Sequence, residues 1–147
     1  MNWVSITVFI VGAVLYGIYG LEDLWRTFAI RRLTKRLGFT YLRQRLPEAL
    51  SLYGTLVAHR RFTWNVIDGE RSQMRVIVFD CQVGEGQGSW RRTVIATKGG
   101  SNAISAANFK SGMKVDSSGG WEIRYYPQEV KRGLMPISEL KTILNSI

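Results

Sequence analysis

The chain has 147 residues, a formal charge of +9, one cysteine and one histidine. That length allows one compact domain beside a short extra segment and excludes two. The single Cys81 excludes an internal disulfide, and the single His59 excludes a histidine-based metal set. The charge is uneven, with nine basic residues against three acidic from Glu22 to Arg61 and eleven against eight from Phe62 onward.

The first charged side chain is Glu22. The uncharged run from Trp3 to Leu21 covers roughly 28 Å as a helix, close to the thickness of a hydrocarbon core, and is therefore expected to be a single transmembrane helix. A signal peptide fits less well, because nothing basic precedes Trp3 and no small-x-small cleavage pattern follows. Trp3 and Trp25 lie one bilayer thickness apart and are expected to anchor at the two headgroup levels. Ala13, Gly17 and Gly20 share one helical face, the small-residue arrangement that lets helices pack closely.

Arg26, Arg31, Arg32, Lys35 and Arg36 follow the run, and by the positive-inside rule they put the C-terminal part in the cytoplasm. The expected location is the cell inner (plasma) membrane with the N-terminus outside. These five residues are expected to contact anionic lipid, since they lie beside the span and no nucleic-acid-binding module accompanies them. Leu21, Leu24, Trp25, Phe28 and Ala29 recur at helical spacing and predict a continuing helix with an apolar stripe. The expected division is an anchor with its basic extension over 1–37 and a cytoplasmic α+β domain over 38–147.

Pro47 predicts a short helix through Ala49, Leu50, Leu52 and Tyr53, ending at Gly54. Phe62 to Ile67 reads as a strand, and Asp68-Gly69 as its hairpin turn. Met74 to Val83 is apolar on both faces, so it predicts a central strand interrupted by Asp80. Trp90 to Lys98 and Trp121 to Tyr126 complete about four antiparallel strands. Ser138 is placed to cap a final helix whose Leu140, Ile143, Leu144 and Ile147 cover one sheet face.

No catalytic constellation emerges, and no cofactor or metal is implied. Gly84-x-Gly86-x-Gly88 lacks the Lys-Ser/Thr ending of a phosphate loop and runs between strands. Cys81 reads as a buried thiol and His59 as a surface residue. Asp80 on a central strand requires an opposite charge, and Arg75, Arg91 and Arg92 are the cross-strand candidates. A hydrolase using Asp80 requires a second converging carboxylate that the sequence does not supply.

Asn65-Val66-Ile67-Asp68-Gly69, Val76-Ile77-Val78-Phe79-Asp80, Gly86-x-Gly88 and Arg91-Arg92-Thr93 occur in that order. This arrangement resembles a pattern of small uncharacterised bacterial membrane-anchored proteins, with Cys81 where an aromatic residue is usual. The resemblance covers residues 60–98 and implies an architecture without an activity. The functional expectation is a non-enzymatic accessory or structural protein with a cytoplasmic interaction domain, whose partners are membrane lipid and another membrane protein or complex, not nucleic acid. The alternative is a small subunit of a large photosynthetic or respiratory membrane complex.

Overall fold

The computed structural model describes residues 3–84, 89–99, 112–131 and 133–147. One long helix, α1 (Trp3–Leu37), leads into strands β1 (Thr40–Arg43), β2 (Arg60–Arg71), β3 (Met74–Val83), β4 (Trp90–Lys98), β5 (Lys114–Ser118) and β6 (Trp121–Tyr125), and α2 (Ile137–Ser146) closes the order. All strand pairings are antiparallel, in the order β1-β2-β3-β4-β6-β5. Where about four strands were expected, the described residues form six. The two additions are short edge strands: β1 pairs with β2, and β5 pairs with β6 across Gly119-Gly120.

The expected membrane span does not hold. Among the described residues no helix is long and apolar enough to cross a membrane. The uncharged run is not a segment by itself but the first part of one helix, which continues through Glu22, Asp23, Arg26, Arg31 and Arg32 onto the sheet.

Helix α1 continues unbroken past Glu22 and Asp23 and ends at Gly38, whose φ of 71° and the Phe39 N–H bond to the Thr34 carbonyl (3.0 Å) form the usual left-handed helix stop. Its last third packs on the sheet through Ile30 and Leu33, where they meet Leu140, Ile143 and Leu144 of α2 over Ile67, Val76, Val78 and Ile95. The apolar stripe of Leu21, Leu24, Trp25 and Phe28 is exposed. The opposite sheet face carries Val66, Ile77, Phe79, Cys81, Val94 and Ile123 and is covered by Leu52 and Val57 of the β1–β2 connection. There the Trp121 indole N–H donates to the Ala49 carbonyl at 2.9 Å.

Three local expectations change. No helix forms over Ala49–Tyr53, and a 3₁₀ turn at Leu56–His59 takes its place. Asp68-Gly69 is not a turn, since β2 runs through it to Arg71 and the chain reverses at Ser72-Gln73, with φ of 51° and 62°. Gly69 instead serves close approach, because a Cβ there would run into the Phe39 ring. Helix α2 has Pro136 at its N-cap with no side-chain cap, so Ser138 lies inside the helix. Glu85, Gly86, Gln87 and Gly88 of the glycine-rich connection lie outside the described residues.

Candidate functional site

The charged groups that matter converge where α1 crosses the sheet. Arg26 is on the face of α1 that also carries Ile30, Leu33 and Leu37, so its side chain turns toward the sheet with them. Its Nε donates to Asp80 Oδ2 at 2.7 Å, and one Nη donates both to Asp80 Oδ1 and to Thr93 Oγ1 at 2.8 Å. The other Nη reaches the Met135 carbonyl at 2.7 Å. The pair is buried, with side-chain exposures of 11% for Arg26 and 1% for Asp80.

Two neighbours complete the shell around Asp80. The Thr93 hydroxyl, directly across on β4, donates to Oδ1 at 2.8 Å. The Asn65 amide donates to Oδ2 at 3.0 Å. Asn65 reaches it from a bulge in β2, where Asn65 and Val66 together oppose Phe79, and it sits at a φ of 53°. Its carbonyl oxygen accepts from Thr27 of α1 and from the Tyr41 hydroxyl of β1, each at 3.0 Å. The network thereby ties α1, β1, β2, β3, β4 and the segment before α2 through six side chains.

Asp80 receives four hydrogen bonds, which fills the acceptor capacity of a carboxylate. No lone pair remains for a metal, a substrate proton or a nucleophilic water. The arginine that pairs with it comes from α1, not from a neighbouring strand. Arg75 instead forks onto Asp68 (2.7 and 3.0 Å), and Arg91 pairs with Asp23 of α1 at 2.5 Å while lying over the Trp64 ring. Arg92 faces the opposite core between the rings of Trp90 and Tyr125, and burial lowers its pKa. Among the described residues no group of three His, Cys, Asp or Glu side chains is placed to hold a metal ion.

The remaining expected site residues lie on α1. Trp3 and Trp25 are exposed, at 85% and 71%. Ala13, Gly17 and Gly20 are exposed as well, and nothing lies within 4 Å of a Cβ built at either glycine. Arg31, Arg32, Lys35 and Arg36 are exposed, with the Arg31 guanidinium 4.9 Å from the centre of the Tyr41 ring. Arg26 departs from this group, since its guanidinium is fully engaged by the domain.

The first part of α1 therefore stands away from the domain as an arm. Val4, Val8, Phe9, Ile10, Val11 and Val14 are each more than half exposed, and so, nearer the point of docking, are Leu21, Leu24, Trp25 and Phe28. What sequence reading missed is the anchoring of this arm by Arg26. The available signal was the register of Arg26 with Ile30, Leu33 and Leu37 set against the unpaired charge of Asp80. No family model, no curated protein and no solved structure matches the chain.

Proposed function

We propose that the chain is a non-enzymatic accessory protein: the α+β domain is a rigid base, and the arm of α1 docks into an apolar groove of another protein. The observation that carries this reading is the apolar surface of Val4, Val8, Phe9, Ile10, Val11 and Val14, exposed on a helix that the other described residues do not cover. A contiguous apolar surface of this kind is costly in water and marks a contact surface. An apolar helix laid into a groove is a recurrent way to join two proteins. The buried Arg26–Asp80 pair supports the same reading, because it fixes the direction in which the arm leaves the base.

The experiment is photo-crosslinking in the native cell, with benzoylphenylalanine in place of Val8 or Val14 and, as a control, in place of exposed Thr142 on α2. The expected result is a discrete protein adduct from the arm positions and none from Thr142, retained as one assembly on a native gel after gentle extraction. Adducts to lipid alone, or a lone monomer with no adduct, would sink the reading.

A further inference from the structure

The arm does not end on a featureless surface. Three concavities follow one another along its base and share side chains. The first, about 440 Å³, is lined by Leu21, Leu24, Trp25, Thr27, Phe28 and Arg31. The second, about 460 Å³, shares Thr27 and Arg31 with the first and adds Tyr41, Gln44 and Trp64. The third, about 910 Å³, shares Gln44 and Trp64 with the second and opens onto Arg60, Arg61 and Arg91. Together they make one groove, apolar where the arm leaves the base and basic at the far end.

The basic end has a surplus of charge. Among the described residues its three guanidiniums face one carboxylate, Asp23, which Arg91 already holds. Arg60 donates to Thr63 Oγ1 and the Val57 carbonyl, and Arg61 lies over the Phe62 ring. Among the described residues neither Arg60 nor Arg61 has a carboxylate within ion-pair distance. His59, the only histidine, is next in the chain and exposed. Arginine presents a planar set of donors suited to carboxylates, and the Trp64 and Phe62 rings supply a flat apolar floor.

The geometry points to a peptide groove that takes an extended segment of the same partner that receives the arm: large apolar residues against Leu24, Trp25 and Phe28, followed by a run of Asp or Glu against Arg60 and Arg61. The inference rests on the docking reading of α1 and adds the chemistry of the partner. Continuity joins the two surfaces, since Leu24, Trp25 and Phe28 belong to the arm and to the groove alike. Charge complementarity fixes the polarity of the segment: a basic or neutral one leaves the two arginines unpaired.

The test uses the full chain and two synthetic peptides, Leu-Trp-Leu-Gly-Glu-Glu-Glu-Glu and the same peptide with Lys for Glu, with binding followed by calorimetry. The acidic peptide is expected to bind at least tenfold more tightly than the lysine peptide and to weaken as salt is raised. The double variant Arg60→Gln, Arg61→Gln is expected to lose at least tenfold in affinity for it, and Phe28→Ser to weaken it at unchanged salt dependence. All three side chains are solvent-exposed or half-exposed, so these variants leave the fold intact. Equal binding of the two peptides, indifference to the arginine changes, or full displacement by inorganic phosphate at millimolar concentration would each overturn the groove. Arm crosslinks that persist without peptide binding overturn the groove alone. Peptide binding without arm crosslinks upholds the groove and removes only the arm's docking.

Discussion

Arg26 and Asp80 lie 54 positions apart in the chain and meet through two hydrogen bonds of 2.7 and 2.8 Å, in a pocket where neither is more than 11% exposed. A charge moved from water into such a place costs several kcal/mol unless its counter-charge comes with it. The pair therefore acts as a condition on the fold: α1 is in register with the sheet, or two charges are stranded.

Removing one member alone is accordingly the severe change. Arg26→Met leaves Asp80 buried with only Thr93 and Asn65 to satisfy it, and about 3–5 kcal/mol of stability is expected to be lost. Asp80→Asn strands the guanidinium to a similar degree. The double variant Arg26→Met, Asp80→Leu removes both charges and is expected to recover at least half of the single-variant loss. Urea unfolding of the four proteins measures this directly. Additive losses in the double variant would show that the two side chains do not depend on each other.

This pair also marks where sequence reading stops. Strands β3 and β4 were legible to the residue, Met74–Val83 because it is apolar on both faces and Trp90–Lys98 as the strand that follows the glycine-rich connection. The stripe of α2 was legible for the same reason, because Leu140, Ile143 and Leu144 recur at helical spacing and are buried. Edge strands β1 and β5 carry few apolar residues and gain their partners only from tertiary pairing, so local pattern is silent about them. The need of Asp80 for a cation was legible, but its source was not. Cross-strand arginines are near in sequence, and Arg26 is near only after α1 has docked. The opening run was legible as helix, but not its continuation as one helix that docks on the sheet through Arg26, Ile30 and Leu33, because those partners are distant in the chain.

Gly69 gives a second test, since a glycine inside a strand normally weakens it. Here the Phe39 ring occupies the space that a Cβ would fill, and Phe39 itself is 8% exposed. Gly69→Ala is therefore expected to cost about 1–3 kcal/mol through overpacking. Combining it with Phe39→Leu is expected to cost less than the sum of the two single changes. A thermal melt in which Gly69→Ala matches or exceeds the parent would show that the ring moves aside freely.

The β2–β3 turn offers a change in the stabilising direction. Ser72 and Gln73 both adopt left-handed backbone conformations, at φ of 51° and 62°, in a two-residue hairpin loop. Side chains with a Cβ pay for that conformation, and glycine at the second position does not. Gln73→Gly is expected to raise stability by about 0.5–1 kcal/mol, while Ser72 is left in place because its hydroxyl donates to the Ile147 carbonyl at 2.7 Å. A lower urea midpoint for Gln73→Gly would contradict the turn assignment.

Two buried acids give stability a defined pH dependence. Burial, with a smaller contribution from Asp80 and opposed by Arg92, pushes the Cys81 thiol up from 9.0 to about 12. Burial and then the hydrogen bond to Glu139 push the Tyr126 hydroxyl up from 10.0 to about 12. Both groups hold their protons in the folded chain at pH values where the unfolded chain has released them, so the unfolded state binds fewer protons and alkali favours it. Their contribution is intact below about pH 9 and is lost as pH rises from there through about 12. The urea midpoint is expected to be level from pH 7 to 8.5 and to fall between pH 9 and 11, less steeply in Cys81→Ala and in Tyr126→Phe. Correspondingly, a thiol reagent at pH 8 is expected to leave Cys81 unmodified in the folded protein and to label it at once in urea. Rapid labelling of the folded chain would mean that the core face bearing Phe79 and Cys81 opens far more readily than its packing requires.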